Sequence, residues 1–162
     1  DGGIRRGGPE LLAGKRRSSS HALLVMDWEG CGDASGSGAE LESELDRRLQ
    51  HHWGPGSKSI VIEPEVDVWM WGSDNSLSQV LGWPSNETIR DWLRQHALET
   101  AETGKPRRPK EALDAVFRKL SRPRSSSAYE QIARSISLDR CTDPAFRRLK
   151  GTLQSWFAES EF

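Results

Sequence analysis

Apolar residues fall into two kinds of run along this chain. Ala22-Leu23-Leu24-Val25-Met26 and Ile60-Val61-Ile62 are short and continuous, the pattern of strands buried on both faces. Between them Leu41, Leu45 and Leu49 recur every four residues, which predicts a helix from about Ala39 to Gln50 with one apolar stripe, ended by Gly54-Pro55-Gly56. Strand, helix, strand is a βαβ unit. Such crossovers are right-handed almost without exception, so Asp27 and Glu63 are expected on one carboxyl edge of a parallel sheet, where folds of this kind bind ligands.

From Pro84 onward the period becomes helical. Ile89, Trp92, Leu93 and Ala97 share one face, Leu113, Val116, Phe117 and Leu120 another, and Tyr129, Ile132, Ala133 and Ile136 a third. A last helix is expected to start at Asp143-Pro144, with Asp143 as cap, and to bury Leu149, Leu153, Trp156 and Phe157. If Val66 to Gly72 is helical, Val66, Trp69 and Met70 share a face and Trp71 points elsewhere. The basic turn Gly104-Lys105-Pro106-Arg107-Arg108-Pro109 separates two of the helices. The expected fold is one α/β domain over 21–158, a small and mainly parallel sheet flanked by helices, with a helical C-terminal half. Residues 1–20, rich in Gly, Ser and Lys/Arg, read as a flexible basic arm.

Composition narrows the class. The chain is 35% hydrophobic and 29% charged with a net charge of −1, the balance of a soluble globular protein. No apolar run reaches the roughly 20 residues of a membrane span, and the N-terminus has no apolar signal-peptide core, so no membrane partner and a cytoplasmic location are expected. Two cysteines, Cys31 and Cys141, exclude a disulfide framework and a zinc site of three or four cysteines from this chain. Charge is nevertheless segregated: Asp27 to Asp67 holds ten Asp/Glu against three Lys/Arg, and Lys105 to Arg124 eight Lys/Arg against two acids.

Candidate chemistry centres on Asp27-Trp28-Glu29-Gly30. Two carboxylates spaced i, i+2 at the end of a strand project the same way and suit a hard cation. Glu63, Glu65 and Asp67 follow the second strand, so up to five acids converge on one edge, or else serve as solvated loop and helix-start acids. A phosphate-binding glycine loop fits less well, because Gly30, Gly32, Gly36 and Gly38 lack the fingerprint interval and the acids repel phosphate. A phosphatase with Asp27 as nucleophile lacks the second Asp and the following hydroxyl residue. Cys31 as a nucleophile is blunted by its acidic loop, and His51 and His52 diverge on a helix. Seven Trp are many for this length and serve core packing or a partner or base-stacking surface. Arg107, Arg108, Arg122 and Arg124 lie in the stretch suited to tracking a phosphate backbone.

Leu23 to Gly30 and Ile60 to Met70 together resemble the core of Toprim-like proteins, and the ordered set extends over about 21–157. Ile89-Arg90-Asp91-Trp92-Leu93, Arg108-Pro109-Lys110-Glu111-Ala112-Leu113 and Cys141-Thr142-Asp143-Pro144-Ala145-Phe146 make the small Toprim-like component of methylation-associated, prokaryotic anti-phage defence systems the most similar family. The resemblance implies Mg²⁺-dependent, nuclease-type phosphoryl transfer on DNA or RNA, Mn²⁺ being the alternative ion. Asp27 and Glu29 match the metal-binding pair, with Glu63 or Glu65 assisting. The family carries a catalytic Glu on an earlier strand, whereas here Glu10 alone precedes Asp27 among the glutamates, in a Gly/Pro-rich setting, and Glu29 stands where Asp is usual. Two functions follow as expectations: a metal-dependent nuclease, or an inert subunit or sensor that binds other defence proteins or nucleic acid.

Overall fold

The computed structural model describes residues 2–32, 36–72, 74–84, 86–96, 98, 104–137 and 141–158, with the side chain of Asp74 left aside. In chain order the elements are α1 (Gly2–Ala13), β1 (Ala22–Asp27), α2 (Gly38–Trp53), β2 (Ser57–Ile62), a 3₁₀ helix (Val66–Trp71), α3 (Asp74–Leu81), α4 (Ile89–Gln95), α5 (Pro109–Lys119), α6 (Ser126–Ser135) and α7 (Pro144–Phe157). The chain forms two compact units. The first joins Asp1–Glu65 to Asp143–Phe162, and the second is Val66–Thr142.

The first unit is α/β. β1 and β2 pair in parallel, Ala22 opposite Ser57 through Asp27 opposite Ile62, with α2 as the connection. Ala22, Leu24 and Met26 alternate toward a core completed by Leu41, Leu45, Leu49 and Trp53 of α2. The α2 stripe is therefore legible from its period, and its start is fixed by a capping box between Ser37 and Glu40. Gly54, at φ 100°, ends α2 and returns its N–H to Gln50.

The expected flexible arm is a helix over Gly2–Ala13, and neighbours outside the helix account for it. Pro9 lacks the N–H that would meet the Arg5 carbonyl one turn back. Arg48 of α2 replaces it: Nη1 donates to the Arg5 carbonyl at 2.9 Å and Nη2 to the Arg6 carbonyl at 2.6 Å. Gly8 permits close approach to the sheet, since a Cβ there would stand 2.5 Å from Leu24 Cδ1. Composition within the helix disfavours it, and contacts from α2 and β1 override that local preference.

A sheet of two strands has two outer edges, and the edge of β2 is closed by side chains. The ladder aims even-numbered amides of β2 at β1 and leaves Ser59 and Val61 facing out. Glu42 and Asp46, one turn apart on α2, accept those amides: Val61 N–H donates to Glu42 Oε2 at 2.8 Å and Ser59 N–H to Asp46 Oδ1, which also engages Lys58 through its other oxygen. Arg148 of α7 then holds Glu42, with Nε and Nη2 each 2.8 Å from the carboxylate. Carboxylates so placed take the role of a third strand.

Helix α7 starts as its sequence indicates. Asp143 Oδ1 accepts from the amides of Ala145 (3.0 Å) and Phe146 (3.1 Å), with Pro144 at the first helical position. Asp143→Ala should therefore lower stability by about 1–2 kcal/mol in urea unfolding, whereas Asp143→Asn, which keeps a capping oxygen, should lose much less. Equal unfolding midpoints for all three proteins would contradict it. The expected burial of α7 does not hold: Leu153 is 38% and Phe157 66% exposed. The His21 ring stacks on Trp156 at 4.6 Å, so the stripe is only partly covered.

The second unit is all helical, and its core gathers Trp71, Leu77, Ile89, Leu93, Leu113, Phe117 and Ile132. Ile89, Trp92 and Leu93 are buried together as their spacing requires, and so are Leu113, Val116 and Phe117; Ala97 lies outside the described residues. The expected separation of Trp71 from Val66 and Trp69 holds, and Met70 parts from that pair. Residues 66–71 form a 3₁₀ helix with three residues per turn, so Val68 and Trp71 share the inner face and Val66 is exposed. The tryptophans are core residues for the most part. Trp71 Nε1 donates to the Pro109 carbonyl, Trp83 Nε1 to the Glu87 carbonyl, and Trp83 and Trp92 meet edge to face at 5.4 Å.

Candidate functional site

β1 delivers Asp27 to the carboxyl end of the sheet, half-buried. The chain then leaves strand geometry. Trp28 N–H donates to the Ile62 carbonyl and Glu29 N–H to the Pro64 carbonyl, so two successive amides point to the same neighbouring segment. Cys31 N–H closes a turn onto the Trp28 carbonyl, and Gly30, at φ 82°, takes the left-handed position that a type II turn gives its third residue. Glu29 is consequently an exposed turn residue, and strand alternation does not align it with Asp27.

The other acids of the expected cluster have separate tasks. Glu63 Oε2 accepts the Gly38 amide at 3.1 Å, placing a carboxylate on the start of α2, where the helix dipole favours it. A Cβ on Gly38 would stand 2.6 Å from that oxygen, so glycine is what allows the approach. Glu65 is buried and engaged, and Asp33 lies outside the described residues. Asp67 belongs to the second unit, where it accepts from the Tyr129 hydroxyl at 2.9 Å and lies 3.7 Å from Arg124. Burial, and then the bond to the Asp67 carboxylate, push the Tyr129 hydroxyl up from its ordinary value. Among the described residues no three His, Cys, Asp or Glu side chains gather so as to hold a metal ion.

The basic set divides in the same way. Arg122 donates to the carbonyls of Val80 (3.2 Å) and Leu81 (3.0 Å) at the end of α3, and Arg124 binds Asp114 at 2.9 Å with its guanidinium 5.1 Å from the Tyr129 ring centre. Both guanidinium groups are thus engaged within the second unit. Arg107 and Arg108 are exposed, Arg108 bridging to Glu111 at 2.7 Å. Cys31 is buried, and the His51 and His52 rings stand edge to face at 5.2 Å without sharing a focus.

One cleft lies at the carboxyl end of β2. It has a volume of about 450 Å³ and is lined by Gly38, Val61, Glu63, Asp143, Ala145 and Arg148, so the starts of α2 and α7 both border it. Their first amides are already met by Glu63 and Asp143. Sequence reasoning passes over Glu42, Asp46 and Arg148. The signal for the first two is their spacing of four on the flank of the Leu41–Leu45–Leu49 stripe, which places carboxylates at the margin of a buried face.

No family model, curated protein or solved structure matches the chain. The structure defines an α/β protein with a small two-stranded parallel sheet and predominant helix. No helix among the described residues is long and apolar enough to cross a membrane.

Proposed function

We propose that this chain is a Toprim-like component of a prokaryotic anti-phage defence system that acts by binding a partner and not by catalysis. The observation supporting this reading is the dispersal of the acids. Glu63 caps α2, Asp67 holds Tyr129, and Glu29 sits in a turn, which leaves Asp27 at the strand end outside any three-residue metal cluster among the described residues. Mg²⁺ takes one or two carboxylates when phosphate oxygens and water complete its shell. The turn that carries Glu29 does not align it with Asp27, so the expected Asp27 and Glu29 pair does not fit a shared Mg²⁺ or Mn²⁺ as it stands.

A second reading, metal-dependent nuclease action, draws support from Asp27 standing at the carboxyl end of a parallel strand, the edge on which α/β folds bind ligands. The deciding experiment combines Mg²⁺ and Mn²⁺ calorimetry with DNA and RNA cleavage assays on wild type and Asp27→Ala. The binding reading expects no cleavage by either protein and unchanged co-purification of neighbouring defence proteins with Asp27→Ala. Cleavage by wild type that disappears in Asp27→Ala would establish the nuclease reading instead.

A further inference from the structure

We propose that a groove along α1 and α2 binds the phosphodiester backbone of a nucleic acid. Two clefts, of about 420 and 430 Å³, adjoin there and share Glu44 and Arg48. The first is completed by Arg5, Arg6 and the backbone of Gly2 and Gly32, the second by Arg47, His51 and His52. Among the described residues, four guanidinium groups and two imidazoles therefore line the groove against one carboxylate. The basic run continues past it: Lys15, Arg16 and Arg17 are exposed, and the Arg16 guanidinium lies beside Gly54 at the end of α2 that carries the two histidines. The α2 residues that line the groove run from Glu44 to His52, about 12 Å of helix at 1.5 Å each, which exceeds the reach of one small anion.

Among the described residues, the two acids in reach, Glu10 and Glu44, are already occupied. Glu10 accepts from Arg48 at 3.1 Å and lies 3.6 Å from His52. Glu44 lies 3.6 Å from Arg48 and 3.9 Å from Arg5. Arg48 is a positioning residue, because it also holds the Arg5 and Arg6 carbonyls and so keeps α1 against α2. Arg6 and Arg47 make no ion pair with any described residue, so their planar forks are the groups left to meet a ligand. A guanidinium fork matches the oxygens of a phosphate in two parallel bonds. Charged side chains and glycine backbone line the clefts, with buried Cys31 the one apolar side chain lining them among the described residues, which favours a strand over a bilayer held by projecting apolar groups. Ile4 and Leu11, exposed on α1, make an anionic vesicle the competitor to be tested. The groove shares no residue with the strand-end acids or with Arg107, Arg108, Arg122 and Arg124, so it goes beyond the function proposed for the strand end.

The test is fluorescence anisotropy with a short labelled oligonucleotide, single- and double-stranded, as salt rises from about 50 to 200 mM. Arg6→Glu combined with Arg47→Glu is expected to weaken binding by roughly tenfold or more and to make the salt dependence shallower by about one unit for each phosphate no longer neutralised. The pair Arg107→Ala, Arg108→Ala should bind as wild type does. Circular dichroism must show the variants folded; if charge reversal disturbs folding, Arg6→Gln with Arg47→Gln reads the same loss at smaller size. Wild-type affinity in the double variant, or no oligonucleotide binding by wild type at the lowest salt, overturns the proposal. So does binding to phosphatidylserine vesicles that the double variant loses while keeping the oligonucleotide, and so does loss of oligonucleotide binding in Asp27→Ala, which would place the ligand at the strand end.

Discussion

Trp71→Ala is expected to destabilise the second unit by about 3–5 kcal/mol, the range found when a fully buried tryptophan is truncated. Trp71 is 1% exposed and is among the largest fully buried side chains of the protein. Its removal opens a cavity in the core shared by α3, α4, α5 and α6. It also strips the Pro109 carbonyl, at the first residue of α5, of the indole donor 3.2 Å away. A loss of that size is a large share of the roughly 5–15 kcal/mol that holds a domain together. Urea unfolding followed by far-ultraviolet circular dichroism should show the midpoint fall steeply, and Trp71→Phe should recover more than half. A change below about 1 kcal/mol for the alanine variant would mean that this site collapses around the missing ring or that Trp71 is not central.

The second large effect is expected at the edge of β2. Glu42→Ala removes the acceptor of the Val61 amide and the partner of Arg148 together. The Glu42 side chain is 9% exposed and that of Arg148 40%, so water takes up part of the stranded charge and the loss falls below that of a fully enclosed pair, at about 2–3 kcal/mol. Glu42→Gln keeps a carbonyl for Val61 and should lose about half as much. Amide hydrogen exchange gives the local reading: Val61 should exchange faster in Glu42→Ala while Ser59, held by Asp46, stays protected. Unchanged protection at Val61 would show that the carboxylate does not close the edge.

Much of the first unit's architecture can be read from the chain because its signals are local. Two aliphatic runs on either side of a four-residue leucine repeat leave few alternatives to strand, helix, strand, and Asp143-Pro144 marks a helix start through side-chain chemistry alone. The division into two units is not legible, since Glu65 and Val66 fall on different sides of it with no glycine or proline run between them. α1 escapes for a related reason: what makes it helical is an arginine 43 residues away that supplies the bond Pro9 cannot. Met70 is grouped with Val66 and Trp69 when 3.6 residues per turn are assumed where the chain takes three. At the candidate site, the pattern puts Asp27 correctly at the end of β1, while sequence proximity alone groups Glu29, Glu63 and Asp67 with it. A turn, a helix cap and a tyrosine bond separate them. Hydrogen-bond demand at helix starts and buried hydroxyls competes for carboxylates, and a linear pattern does not show which demand prevails.

The way α7 rejoins β2 also sets a timetable for the nascent chain. Arg148 lies 87 residues after Val61, so at roughly 5–20 residues per second the ribosome takes about 4–17 s to deliver the cation that holds Glu42 on that edge. During this interval Glu42 and Asp46, made earlier, are the groups on hand to shield the outward amides of β2. The helical unit, by contrast, is one contiguous stretch whose partners emerge close together, which favours early folding. Synthesis that stalls after Thr142 should therefore yield a protease-resistant helical unit preceded by an incompletely locked sheet, and release of α7 from the ribosome should complete the lock.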